Sequence, residues 1–400
     1  MENALLKSSH NGSMSAGQHT RDFLLVAPVE ISSRQVQNFK APQTTDNGRF
    51  FSRSSDRAQF LTYNLEPRKR SQVSPVTLTI GAKCSVILEV AELWIAHFGD
   101  TAIVAVLCRV NSPVIDTLSG SELEQLEIAL TKIGIQASVS ELQCPPESVM
   151  WVGRNRLLRT DEKVTEGWLS SEVVTSPLDG TPGASINSGW GNGSVLGWDL
   201  LDHTERLEVI CGLIDAQYLW HQADKLSRSS LNILQSIGPP QARVKSREVR
   251  LMQHQMEEEW TNMANHHLAA DDLFLNVQGV RRTVAQANLD AWNYNETIER
   301  ITRRMQDTGN VVSRKSARLD RRYQSTVEMV LFALGLLTFL EIILSAISAA
   351  YSGAVPGMPG DEETIGVFAW LRNTSSDVLV LGAFALIFVA AALVITRRKK

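Results

Sequence analysis

The stretch MVLFALGLLTFLEIILSAISAA, Met329–Ala350, holds a single charged side chain, Glu341, in 22 residues. A bilayer hydrocarbon core of about 30 Å is crossed by roughly 20 apolar helical residues. Core helices of globular domains seldom stay this apolar for so long, so the segment reads as a membrane span. VLVLGAFALIFVAAALVI, Val378–Ile395, repeats the pattern over 18 residues with no polar side chain. Residues 327–400 therefore read as a two-helix transmembrane domain with a connecting loop, 351–377.

Basic residues set the expected orientation, because Lys and Arg accumulate on the cytoplasmic side of a span. Arg314, Lys315, Arg318, Arg321 and Arg322 precede the first span, and Arg397, Arg398, Lys399 and Lys400 follow the second. The loop has Arg372 as its one basic residue, against Asp361, Glu362, Glu363 and Asp377. Both chain ends are expected in the cytoplasm, with the loop outside, in a multi-pass protein of the plasma (inner) membrane. The N-terminus has no apolar run of signal-peptide length. Residues 1–22, rich in Ser, Gly, Asn and His, read as a disordered tail.

The first span carries polar residues on one side only. Thr338, Glu341, Ser345 and Ser348, with Ser352 just beyond, are spaced 3, 4, 3 and 4 apart, which stacks them on one helical face. Lipid cannot satisfy such groups, and a carboxylate near the midplane costs roughly 2.5–3.5 kcal/mol on insertion scales. Two readings stay open. The stripe lines a cation path, with one Glu341 per subunit in a carboxylate ring. Or it packs helix on helix, with a protonated, hydrogen-bonded Glu341. Two spans cannot enclose a pore, so the first reading requires a homo-oligomer.

The 400-residue chain as a whole is ordinary in composition, with 20% charged residues. A net charge of −4 excludes whole-chain nucleic-acid binding, so no nucleic acid is expected as partner. Cys84, Cys108, Cys144 and Cys211 form no C-x-x-C pair, which argues for a reduced compartment without a disulfide framework. Strand-like runs occupy 23–28, 76–80, 85–98 and 101–110, and Gly99-Asp100 is a hairpin signal between the last two. An amphipathic helix starts at Ser121 and is expected to stop at Gly134, and another strand lies within 148–158. Residues 23–200 thus read as an α/β (or α+β) cytoplasmic domain. Residues 169–197, rich in Ser, Gly and Thr, read as a loop in which Trp190-Gly-Asn-Gly-Ser194 makes a tight turn rather than a phosphate cradle.

Residues 201–326 read as helical, with a break at Gly238-Pro239-Pro240. From Ala242 to Tyr323 no proline intervenes, and Val277, Val280, Val284, Ala287, Ala291, Tyr294, Ile298, Ile301, Met305, Thr308 and Val312 keep an unbroken 3-4 repeat. That predicts one long stalk helix of coiled-coil or bundle type, about 120 Å if continuous, running into the first span. On it, His267 and Asp271 lie at i and i+4 and share a face, a candidate divalent-ion pair. No Ser-His-Asp, H-E-x-x-H or kinase signature occurs, so no enzyme is expected and no cofactor beyond a divalent cation.

A mixed N-terminal domain, a long helix running into the first of two spans, and a basic tail make an order that resembles the CorA family of divalent-cation channels. The resemblance covers residues 203–400 in architecture. The family places Gly-Met-Asn after a Tyr at the outer mouth. Here Tyr351 is followed by Gly357-Met358, with Pro359 in the asparagine position. The resemblance implies a pentamer, a path lined by the first span, Mg2+ as cargo, and outer-mouth roles for Gly357 and Met358; the acidic Asp361, Glu362 and Glu363 that follow are expected to concentrate cations at that mouth. The alternative is a membrane-anchored sensor or conflict-system effector whose cytoplasmic domain binds a signal or partner protein. The chain also resembles diverged CorA-like defence effectors that lack the motif.

Overall fold

The computed structural model describes residues 20–31, 65–68, 73–80, 84–112, 115–165, 167–169, 172–236, 246–351 and seven positions between 374 and 385. The chain divides into two compact units, residues 1–243 with 251–310, and residues 244–250 with 311–400.

In the first unit, strands β1 (Thr20–Glu30), β2 (Glu66–Arg68), β3 (Val76–Ile80), β4 (Cys84–Phe98), β5 (Thr101–Asn111), β6 (Gly153–Leu158), β7 (Val174–Pro177), β8 (Ser185–Ser188) and β9 (Asn192–Leu196) form one sheet. Its order is β2-β4-β5-β1-β6-β9-β8-β7, with β3 also paired to β4. The β6–β9 pair is parallel and the rest are antiparallel. Thr20–Asp22, expected in the tail, begin β1, because they complete its ladder with Val110 and its neighbours on β5. The β4–β5 hairpin closes through Gly99, whose φ of +60° supplies the positive value a two-residue turn needs.

Strand alternation sorts the apolar side chains onto two faces. Phe23, Leu25, Ala27 and Val29 of β1 join one core, while Leu24 and Val26 join the other. In β4 the parity changes: Val86 and Leu88 share a core with Leu93 and Ile95. A bulge makes this possible, since Val90 pairs with Cys108 and Glu92 with Leu107, leaving Ala91 extra. Without that extra residue, every side chain beyond it would turn to the wrong face.

Helix α1 (Ser121–Leu142) covers the first face with Leu123, Leu126, Leu130, Ile133 and Ala137. It does not stop at Gly134. A Cβ there would meet Val152 Cγ1 at 2.9 Å, so the glycine serves close packing inside the helix. The stop is Gln143, in the left-handed conformation with φ 49°. Helices α2 (His203–Ser236) and α4 (Gly279–Ala291) cover the opposite face through Val209, Ile210, Leu213 and Ile214, and Val280, Val284 and Ala287. Thus the helices after residue 200 share their core with the sheet.

The segment 169–197 contributes β7, β8 and β9 rather than a bare loop. Its small polar residues hide the alternation: Ser188 and Ser194 are fully buried beside Ile186 and Val195.

The helix expected from Ala242 to Tyr323 is three helices: α3 (Ser246–Asp271), α4, and α5 (Tyr294–Tyr351). A π-helical turn, Asp272–Asn276, and Gly279 at φ +68° make the first break; Asn293 at φ 51° makes the second. The 3-4 repeat is divided accordingly. Val280, Val284 and Ala287 face the sheet, while Val277, Tyr294, Ile298, Ile301 and Met305 pack with Ala216, Leu219, Ala223 and Leu226 of α2. An apolar repeat fixes a helical face but not what covers it, and here the chain covers it itself.

Candidate functional site

Helix α5 contains the apolar segment Met329–Ala350. It is long and apolar enough to cross a membrane, and none of its most apolar eighteen-residue window is buried. Met329, Val330, Leu331, Leu334, Leu337, Phe339, Ile342 and Leu344 are all exposed large apolar side chains. A helix apolar on nearly every side belongs in a protein core or in a membrane.

Thr338, Glu341, Ser345 and Ser348 lie on this helix and are exposed. At 100° per residue they fall within an arc of about 80°. Thr338 Oγ1 donates to Leu334 O at 3.0 Å, one turn back, so its proton is satisfied within the helix. A Cβ placed on Gly335, three residues before Thr338, would meet no atom of the described residues within 4 Å, which leaves that surface open to close approach by another helix. Gly357, Met358, Asp361, Glu362 and Glu363 lie outside the described residues, as does most of Val378–Ile395.

His267 and Asp271 are exposed on α3, one turn apart. Their neighbour His266 is instead buried, with Nε2 and the Tyr294 hydroxyl 2.7 Å apart. Burial lowers the His266 pKa to about 4 and raises that of Tyr294, so this pair is neutral and ties α3 to the start of α5. Among the described residues, no group of three or more His, Cys, Asp or Glu side chains is placed to hold a metal ion.

Three polar arrangements were not legible in the sequence. The first surrounds His221 on α2, whose side chain is fully buried. Neither ring nitrogen has a hydrogen-bond partner among the described residues, and Nε2 stands 3.8 Å from Glu30 Oε1 at the end of β1. Trp151 packs against the ring at 5.6 Å and donates its indole N–H to Gln217 Oε1 at 2.5 Å. Desolvation pulls the His221 pKa down to about 4; Glu30 opposes it, and Lys225 and Arg228 reinforce it. The second is the Asp215–Arg281 pair between α2 and α4, with bonds of 2.6 and 3.0 Å and both side chains buried. The third joins Arg21, Arg156 and Thr165 around Asp116 and β6: Arg156 bonds both Asp116 and Thr165, and Arg21 reaches Asp116 at 2.6 Å. Each brings together residues separated by dozens of positions or sets a charge inside a core, and no local motif encodes that.

No protein-family model matches the chain, and neither a curated protein nor a solved structure does.

Proposed function

We propose that the protein is an oligomeric, CorA-like membrane channel or transporter whose cation path is lined by the α5 stripe Thr338, Glu341, Ser345 and Ser348. The observation that carries this reading is the join of two properties in one helix. The segment is apolar and its most apolar window is uncovered by the rest of the described chain, yet it holds a carboxylate and three hydroxyls on one side. An inert anchor gains nothing from that side, since each polar group costs insertion energy. Subunits arranged around an axis would turn the stripe away from lipid and toward each other or water. Divalent cations, Mg2+ by the architectural resemblance, are the proposed cargo. Asp361, Glu362 and Glu363 of the loop would concentrate them at the outer mouth, with both chain ends cytoplasmic.

The oligomeric state of the full chain in detergent is the first test. A pentamer or another ring of subunits supports a path, whereas a monomer or dimer favours the membrane-anchored sensor or effector. In reconstituted vesicles, Glu341→Ala is expected to abolish or alter cation flux while leaving the oligomer intact. Unchanged flux and selectivity in an assembled variant would remove Glu341 from the path.

A further inference from the structure

The arginines of α5 divide into two sets along the helix. Those in its first turns are occupied. Arg300 pairs with Glu296 at 2.5 Å and Arg303 with Glu299 at 3.3 Å, each one turn back. Arg304 donates to Ser227 Oγ at 3.1 Å. Arg314, Arg318 and Arg321 are exposed, and no carboxylate pairs with them among the described residues. No acid stands three or four residues to either side of any of the three. At 100° per residue they share an arc of about 60°. Asp320 lies about 100° outside that arc, and Glu328 lies about two turns beyond Arg321.

Their spacing from the apolar segment is the second observation. With a rise of 1.5 Å per residue, Arg321 is about 12 Å before Met329, Arg318 about 16 Å and Arg314 about 22 Å. An extended arginine side chain reaches several ångströms along its helix and snorkels toward an interface. The headgroup layer is a few ångströms deep, and the negative surface potential decays over a Debye length of about 8 Å. Arg321 is therefore placed at the phosphate layer, Arg318 just outside it, and Arg314 at the edge of the potential.

We propose that Arg314, Arg318 and Arg321 form a collar that binds the phosphate headgroups of anionic lipids. The inference rests on the reading of Met329–Ala350 as a span and names the lipid that this span recruits. The guanidinium fork suits a phosphate because it offers two parallel N–H donors to two oxygens. The upstream pairs show the contrast: where the helix has no such partner to meet, it supplies its own glutamates.

The test is made on the full chain reconstituted into vesicles that mix phosphatidylcholine with phosphatidylglycerol, using electron spin resonance of spin-labelled lipids of each kind. Labelled phosphatidylglycerol is expected to associate about fivefold more strongly than phosphatidylcholine at low salt, with the preference fading as salt rises. Arg314→Gln/Arg318→Gln/Arg321→Gln should lose the preference, and Arg300→Gln/Arg303→Gln should keep it. Among single variants, Arg321→Gln should lose most and Arg314→Gln least. Equal association of the two lipids, or a preference that survives in the triple variant, overturns the collar. A chain that alkaline carbonate strips from the vesicles overturns the span itself, so the two failures are distinguishable.

Discussion

Phe23 and Phe339 are the same side chain in opposite circumstances. Phe23, in β1, is 1% exposed and meets Trp168 edge-on at 5.4 Å, while Phe339, in α5, is 44% exposed. In the sheet unit most apolar side chains have a facing layer from the same chain, and strand alternation sends them there. In Met329–Ala350 the polar stripe is too narrow to make a water-facing side, and the described residues supply no layer to cover the apolar remainder. Similar side chains thus stand in two settings. The first unit buries them against itself, and in the second they stay exposed on a helix long and apolar enough to cross a membrane.

This contrast fails most visibly if the apolar helix is made polar. Leu334→Arg/Leu337→Arg places two charges inside the segment, Leu337 the nearer to its middle, where a charge costs roughly 2.5–3.5 kcal/mol on insertion scales. Combined with deletion of Val378–Ile395, the variant is expected to lose membrane integration in a carbonate-extraction assay while the sheet unit keeps its thermal transition. Loss of that transition along with integration would mean that the two regions are not separable in this way.

In the first unit the most direct test is the buried pair. Asp215→Ala leaves the Arg281 guanidinium charged and without its bidentate acceptor between α2 and α4, at an expected cost of about 3–5 kcal/mol in thermal or chemical unfolding of the detergent-solubilised chain. Membrane integration should be unaffected. The packing around this pair leaves little room for compensation, since a Cβ on Gly212 would stand 2.8 Å from Val284 Cβ. A change below about 1 kcal/mol would show that water or a neighbour replaces the lost partner.

The smallest effect is one of pH. The His221 pKa is lowered from 6.5 to about 4 in the folded chain, so the unfolded state binds the proton more readily. Stability from this group is complete above about pH 6.5, falls as the pH drops through the window between 6.5 and 4, and levels off below it. Glu30 of β1, Asp224, Lys225 and Arg228 of α2, and Asp100 of the hairpin turn, which pairs with Lys225, set the surrounding charge. The loss between pH 7 and about pH 5.5 is expected to be about 1 kcal/mol, read as a drop in the unfolding midpoint. His221→Leu should flatten that part of the profile, and an unchanged slope would assign it to other groups.

How much was legible in the sequence follows the same division. The strands β1 and β5 were readable because both of their faces are buried, so they appear as continuous apolar runs, and β4 because Val86 and Leu88 alternate with exposed residues before the buried run Leu93–Ala96. The hairpin was readable from Gly99-Asp100, and α2 from its periodic apolar face. The strands within 169–197 were not, because serines occupy buried positions there. One of them, Ser194, accepts a hydrogen bond from Asn187 Nδ2 at 3.1 Å inside the sheet. That Thr338, Glu341, Ser345 and Ser348 share a face was legible, since they need only helical spacing to do so. The surroundings of His221 and the Asp215–Arg281 pair were invisible, because Glu30 and Arg281 come to them from far along the chain.

Amino-acid order dictates the local part unaided: which segments are apolar on one side, on both, or nearly all round, and hence the mixed sheet and the exposed helix. A period of 2 or 3.6 is set by backbone geometry and needs no knowledge of the neighbour. The identity of each neighbour comes from tertiary packing alone. The repeat from Val277 to Met305 has the same spacing whether it meets a second copy or its own sheet. It meets its own sheet and α2 because the turn at Asp272–Asn276, Gly279 and Asn293 redirect the chain. Gly279 and Asn293 take positive φ at these breaks, and the packing of each helix on its own partners holds the chain there, while the 3-4 spacing runs on through them.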